Sequence, residues 1–254
     1  TKWFNLIKGT KENKKFFNDK GINPFIQSPI DGTGGALKQI YNAKKLNADY
    51  YLVILSDTPI FDYRILSQFI NKSISSKTDL SVLSQETANP YGYGRIIIQD
   101  KKFLSIVEEN DCNINQKKIK LINTGVFFLS KKTISKINLI KKNSIKKEFY
   151  ITDLIKVCHQ KKLKINTYQN RGIPVQGVNT KTELQELENF YQNHLKQKLI
   201  QNGTRIIHPD TVYIENNVNI SAGVIIEPNV VIKKNVKIGP NTTIKSFSYI
   251  EDCI

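Results

Sequence analysis

The chain has 254 residues, 39% hydrophobic and 24% charged, enough to bury the cores of two domains. No run approaches about eighteen apolar residues, which excludes a membrane-spanning helix. A net charge of +16 would attract phosphate non-specifically, yet the lysines are spread along the whole chain and arginine is scarce. Lys, Ile and Asn are enriched together, as A- and T-rich codons produce, so genome composition explains the charge better than nucleic-acid binding does. The three cysteines, Cys112, Cys158 and Cys253, are odd in number and widely spaced. Free thiols in a reducing compartment are expected, and with no signal-peptide pattern after Thr1 the expected location is cytoplasmic.

Along the chain, Gln27 to Ala36 (QSPIDGTGGA) is a Gly-rich loop entering a helix. Glycines allow close backbone approach, and a helix N-terminus offers N–H groups to an anion or a base edge. Such loops are more often plain turns. Tyr50 to Leu55 (YYLVIL) is a short continuous apolar run, expected as a strand buried on both faces. It ends at Ser56-Asp57-Thr58-Pro59, and open α/β sheets place ligands at such carboxyl ends. Asp57 there is either a turn former or a Mg²⁺ ligand; Mg²⁺ takes one or two carboxylates plus substrate phosphates. Ile65 to Ile70 predicts a helix, and Leu80 to Leu83, Arg95 to Ile98 and Val126 to Leu129 predict further strands. Asn89 to Arg95 (NPYGYGR) sets two glycines and two tyrosines in one loop, a hairpin turn or a sugar-contacting lid. Glu108-Glu109 and Asn123-Thr124-Gly125 each follow a short apolar run, and Ile151 to Cys158 reads as a helix. His159, His194 and His208 stand apart, with no metal-ligand or catalytic-triad spacing. Strand-like and helix-like segments alternate over this first part, which predicts an α/β layer architecture.

Thr180-x-x-Glu183 is a capping box, opening a helix with apolar positions Leu184, Leu187, Phe190, Tyr191, Leu195 and Leu199, stopped at Gly203. Beyond it the sequence repeats every six residues. Val212, Val218, Val224, Val230 and Val236 continue as Thr242, Ser248 and Ile254, and a second register runs from Ile214 through Ile220, Ile226, Ile232, Ile238 and Ile244 to Ile250. Asn216-Asn217, Ala222-Gly223, Pro228-Asn229 and Gly239-Pro240-Asn241 fall between, where tight corners want positive or preset φ. This pattern predicts a left-handed parallel β-helix, each hexad forming one side of a triangular coil.

Taken in order, the segments QxxxxGTGxA, LxDxP, NPxGYGRI, IVEExD, INTGV, EFYITD and GVN, followed by a helix and hexapeptide rungs, resemble one family over roughly Gln27 to Ile254. It is the bifunctional bacterial N-acetylglucosamine-1-phosphate uridyltransferase and glucosamine-1-phosphate acetyltransferase. The resemblance implies a Rossmann-like nucleotide-diphospho-sugar transferase domain, incomplete at its start, over residues 1–180. A linker helix over 181–203 and the start of the β-helix acetyltransferase domain over 204–254 follow. Gln27, Gly32 and Thr33 match positions that hold the uracil of UTP or UDP-N-acetylglucosamine. Asp57 and Asn179 match the two Mg²⁺ ligands, with Asn179 also near the nucleotide sugar. Gly94, Glu108 and Asn123 match contacts to the N-acetylglucosamine moiety. The implied reaction joins UTP and N-acetylglucosamine-1-phosphate with loss of pyrophosphate. Acetyl-CoA would be used only by the full-length form, a homotrimer.

The family's opening loop, LAAGxGTRM followed by a lysine, has no counterpart before Gln27, and further coils would lie beyond Ile254. The expectation is therefore an interior stretch of a longer enzyme, with negligible turnover alone. Ser56, where a glycine usually stands, and Gly35, where a histidine often stands, are smaller departures. Two other readings compete: a nucleotidylyltransferase for another sugar-1-phosphate, against which INTG with GYGRI argues, and a non-catalytic nucleotide-sugar-binding or trimeric scaffold remnant.

Overall fold

The run Val126-Phe127-Phe128-Leu129 is apolar on both of its faces, and the first unit of the chain is built around it. The computed structural model describes residues 4–7, 23–55, 57, 58, 63–143, 147–172, 175, 177, 178 and 180–254. The chain separates into two compact units, Thr1–Gln176 and Gly177–Ile254.

In the first unit, β1 (Phe4–Ile7) and β2 (Asn23–Ile26) form a two-stranded parallel pair. The main sheet comprises β3 (Tyr50–Ile54), β4 (Leu80–Glu86), β5 (Arg95–Gln99), β6 (Lys102–Val107), β7 (Leu121–Ser130) and β8 (Ile165–Asn170). Its order is β6-β5-β7-β4-β8, with β3 beside the C-terminal half of β7. Strands β4 and β8 are parallel, whereas β7 runs antiparallel to β3, β4 and β5. The carboxyl ends of β3, β4 and β8 consequently lie at the same rim as the amino end of β7.

Alternation along β7 sends Phe127 and Leu129 into one core and Val126 and Phe128 into another. The first core also holds Leu37 of the helix Thr33–Asn42, Ile134, Ile137 and Ile140, and Leu154, Ile155 and Cys158 of the helix Leu154–Gln160. The second is closed by the helix Tyr63–Ser75, which buries Phe69 and packs Ile65, Leu66 and Ile70 against the sheet. Layers on both faces make this an α/β sandwich. Strands β7 and β4 are therefore buried on both faces, and β3 is not. Strand β3 pairs only with β7 among the described residues, and Tyr50 and Ile54 are 46% and 36% exposed. An apolar run specifies burial but not which strand holds the centre, and here β7 lies between β3 and β4.

The second unit opens with the helix Lys181–Gln201, capped by Thr180 and Glu183 in the expected reciprocal box. The hexapeptide region is a parallel β-helix of two-residue strands. Tyr213-Ile214 pairs with Val231-Ile232 and that pair with Tyr249-Ile250, eighteen residues per coil. Arg205-Ile206 pairs instead with Ile225-Ile226, twenty residues on, because a 3₁₀ turn at Pro209–Thr211 adds two residues to the first coil. Valines 212, 224, 230 and 236 and isoleucines 206, 214, 220, 226, 232, 238 and 244 fill the interior. The first register loses its grip where valine ends: Thr242 is exposed and Ile254 is 95% exposed.

Backbone φ is positive at Asn217, Gly223, Asn229, Asn235, Asn241 and Phe247, one residue in every six. Asparagine tolerates this left-handed corner and glycine costs nothing there. At Gly223 a Cβ would also stand 2.8 Å from the Asn241 side-chain oxygen one coil later. Glu215 and Glu227 each tie a coil to the next: they accept from Lys233 Nζ and Lys245 Nζ at 2.9 Å, and from the Lys234 and Ser246 N–H groups at 3.0 Å.

The helix buries only part of the apolar stripe expected of it: Leu187 is buried and Leu195 and Leu199 pack against the β-helix core. Leu184 and Phe190 are 54% and 38% exposed, while Gln192 and Lys196 are buried. Gln192 donates to the Ile214 carbonyl and accepts from the Ile214 N–H, and Lys196 donates to the carbonyls of Pro209 and Val212. A first coil has no preceding coil to hydrogen-bond, so these polar side chains stand in for the missing strand. Burial lowers the Lys196 pKa, with Asp210 opposing. No helix among the described residues is long and apolar enough to cross a membrane.

Candidate nucleotide-sugar site

Strand register alone brings three expected residues together. Arg95 pairs with Val107 of β6 and with Ile122 of β7. One step back along antiparallel neighbours, Gly94 stands opposite both Glu108 and Asn123. The Asn123 N–H donates to the Gly94 carbonyl at 2.8 Å, and the Asn123 side chain accepts from the Gly125 N–H. A Cβ on Gly94 would lie 2.7 Å from the Ile106 side chain and 3.2 Å from the Glu108 carboxylate, so only glycine fits the crossing. The Glu108 carboxylate is held from its other side by the buried Thr152 hydroxyl, at 2.9 Å.

Asp57 belongs to the same rim. Leu55, just past β3, donates its N–H to the Gly125 carbonyl, and Gly125 has φ +79 where a Cβ would stand 2.9 Å from the Leu55 side chain. Asp57 follows two residues later, exposed, with the Thr58 hydroxyl at 3.3 Å. Asn179, expected as its companion, lies outside the described residues. No group of three His, Cys, Asp or Glu side chains able to hold a metal occurs among the described residues. A lone exposed carboxylate at a strand end fits an ion that completes its shell with phosphate oxygens and water. It does not fit one that needs a protein cage.

The Gly-rich loop is fastened to the segment that carries Thr152. Gly34 donates its N–H to the Phe149 carbonyl, Phe149 donates to the Asp31 carbonyl, and Ile151 donates to the Thr33 hydroxyl. Gln27 bridges the loop from within, its amide donating to the Asp31 carboxylate and the Gly32 carbonyl. Gly32 has φ +91, and a Cβ there would stand 2.6 Å from the Phe149 carbonyl. The helix N-terminus is thus partly committed: its Gly34 N–H already serves Phe149. Gly35 is explained by its neighbour, since a Cβ there would fall 1.9 Å from the Asp31 carboxylate. Lys38 lies 3.8 Å above the Phe149 ring, and burial lowers its pKa while Asp31 opposes that shift.

The segment Phe149–Thr152 therefore joins the two candidate subsites, its Ile151 reaching Thr33 and its Thr152 reaching Glu108. Sequence reasoning quoted this segment as a motif but gave Thr152 no role, because a hydroxyl's partner more than forty residues away is visible only in the fold. It also missed Arg95 and Glu109. Arg95 is 1% exposed and its guanidinium meets the Glu109 carboxylate at 2.6 Å, a burial that a polar loop sequence does not announce. Asp153, beside the site, has its pKa raised by burial, which Asp111 reinforces and Lys156 opposes.

Comparison with known proteins agrees with the fold. The nucleotidyl transferase family model matches residues 6–173, and the bacterial transferase hexapeptide model (six repeats) matches residues 211–252. The chain is 33% identical to the Bifunctional protein GlmU of Sulfurimonas denitrificans, over 94% of this chain and 54% of that protein. It is 33% identical to the Clostridioides difficile protein of the same name, over 79% of this chain and 44% of that one. The chain thus spans about half the length of the curated relatives it matches. A solved structure from Bacillus anthracis, described as a glucose-1-phosphate thymidylyltransferase with sucrose bound, shares the fold at TM-score 0.59 and 22% identity, covering 74% of this chain and 75% of that one. With two-thirds of its residues matching that model and its sheet built as described, the chain belongs to the nucleotidyl transferase family, a nucleotidyltransferase followed by hexapeptide repeats.

Proposed function

We propose that the first unit is the uridylyltransferase part of an enzyme that makes UDP-N-acetylglucosamine from UTP and N-acetylglucosamine-1-phosphate. The observation that carries this reading is the register match of Gly94, Glu108 and Asn123, joined through Thr152 and Ile151 to the Gln27–Thr33 loop. The relatives bearing the name Bifunctional protein GlmU support the choice of substrate. In this reading a sugar-phosphate oxygen attacks the α-phosphorus of UTP, the P–O bond to the leaving pyrophosphate breaks, and the two nucleoside and sugar phosphates become one diphosphate.

The chain's residues bind and orient. Gln27, Gly32 and Thr33 line the loop that would hold the uracil edge, where hydrogen bonds to a base edge reject bases that leave polar groups unpaired. The Glu108 carboxylate accepts from sugar hydroxyls while Thr152 holds its direction, and Gly94 admits the sugar close to the backbone. Asp57, with Asn179, would hold Mg²⁺, which supplies charge neutralisation on the phosphate oxygens. Acetyl transfer from acetyl-CoA, a homotrimeric assembly through the β-helix and a cytoplasmic location are proposed for the full-length protein, the last in keeping with three free cysteines.

Isothermal titration of the chain with UTP, dTTP, GTP and UDP-N-acetylglucosamine, with and without Mg²⁺, tests the reading. UTP and UDP-N-acetylglucosamine should bind and the other two nucleotides should not. Preference for dTTP would redirect the assignment to a thymidylyltransferase, and binding of none would reject it.

A further inference from the structure

We propose that Arg95 and Glu109 form a partly buried clamp that fixes the loop Asn89–Gly94 over the sugar end of the site, making Glu109 a positioning residue. This inference rests on the nucleotide-sugar reading of the first unit. The adjacent carboxylates of Glu108 and Glu109 work in opposite directions. Glu108 is drawn to Thr152 and faces Gly94. Glu109 is drawn to Arg95, whose Nη2 is 2.6 Å away, and accepts the Gly92 N–H at 3.1 Å. The same guanidinium donates to the Tyr93 carbonyl. Two consecutive loop residues, Gly92 and Tyr93, are therefore tied to one ion pair through their backbones.

Stability is a poor reason for this arrangement. Arg95 is 1% exposed while Glu109 is only part-buried, and the cost of taking the guanidinium out of water offsets much of their attraction. An apolar pair would fill the space as well. It would not, however, fix the direction of the Gly92 N–H and the Tyr93 carbonyl, and these set where Gly94 lies. Gly94 has little freedom: a displacement toward Ile106 meets its side chain, and its carbonyl must stay on the Asn123 N–H. A loop released from the clamp would shift Gly94 relative to Glu108, so the sugar contacts would suffer while the uracil loop, fastened to Phe149 and Ile151, would not.

The test is calorimetric titration of the 254-residue chain and its Glu109→Gln variant with UDP-N-acetylglucosamine and with UDP. The variant should bind UDP-N-acetylglucosamine on the order of tenfold more weakly while its UDP affinity stays within about twofold. Unchanged affinity for the sugar nucleotide, or an equal loss for both ligands, overturns the clamp. Failure of the parent chain to bind either ligand rejects the nucleotide-sugar reading and the clamp with it. Should Glu109→Gln not fold by circular dichroism, Glu109→Asp decides. It keeps the charge but is too short to reach both Arg95 and Gly92, and the same split between ligands is expected.

Discussion

The two units solve the problem of chain ends and unpaired backbone in different ways. In the β-helix every coil repeats the same local answer of an inward valine or isoleucine and a left-handed corner, and Glu215 and Glu227 each reach one coil on. Most of its cohesion is nearest-neighbour, so damage should be felt as stability. In the sheet unit no local pattern repeats. Residues distant in sequence, such as Gly94, Glu108, Asn123 and Thr152, meet at one rim through strand register. Damage there should be felt as lost recognition, with the fold left standing.

The largest effect should follow from breaking the repeat at its centre. Ile226 is fully buried, and Ile226→Ala should cost about 3 to 4 kcal/mol in urea unfolding of the β-helix, leaving UDP-N-acetylglucosamine binding unchanged. A loss of ligand affinity in that variant would show that the units do not divide their labour this way. Next comes the helix that closes the first coil. Gln192→Leu strands the N–H and carbonyl of Ile214, and a loss of about 2 kcal/mol is expected in the same assay. Gln192→Glu should hurt as well, since a carboxylate cannot donate to that carbonyl.

The complementary experiment removes a hydroxyl from the sheet unit. Thr152→Val keeps the shape but removes the hydroxyl that donates to Glu108, and UDP-N-acetylglucosamine should bind about fivefold more weakly, near 1 kcal/mol, with the melting temperature little changed. Marked thermal destabilisation without a change in affinity would place Thr152 among the structural residues instead. A smaller effect, of opposite sign, is expected at Phe247. It holds φ +64 at a corner where the repeat otherwise uses asparagine or glycine, and its ring is 82% exposed. Phe247→Asn should stabilise the β-helix by about 1 kcal/mol.

The smallest effect is electrostatic. Hydrogen bonding to Lys233 first, and the Lys234 N–H with it, holds the Glu215 carboxyl below its ordinary 4.5; Lys245 and the Ser246 N–H do the same for Glu227. A depressed folded-state pKa stabilises above the ordinary value and is lost as pH falls through the folded one. Lys233 is raised above 10.5 by Glu215, so its contribution is present below that value and lost above it. Unfolding midpoints should thus be highest between these limits and fall below pH 4.5, with the Glu215→Gln, Glu227→Gln double variant flattening the acid limb.

The β-helix was legible down to single residues because a period of six is a local signal, yet the left-handed corners at Asn235 and Phe247 went unread. The capping box at Thr180 was legible for the same reason; the buried faces of Gln192 and Lys196 were not, because their partners lie in another element. Strand positions in the first unit are mostly legible, but the burial expected on both faces of Tyr50–Leu55 is not found: YYLVIL and VFFL are alike as strings, and only pairing shows that β7 lies inside and β3 does not.

By itself the sequence determined the two architectures, the helix between them and the motifs at strand ends, since all of these rest on spacing within a few residues. The tertiary structure alone decided which strand is central, that Thr152 orients Glu108, and that Arg95 is buried against Glu109. These are contacts between elements far apart in the chain. No periodicity encodes such contacts, because they are set by strand register and by the cost of burying a polar group without a partner.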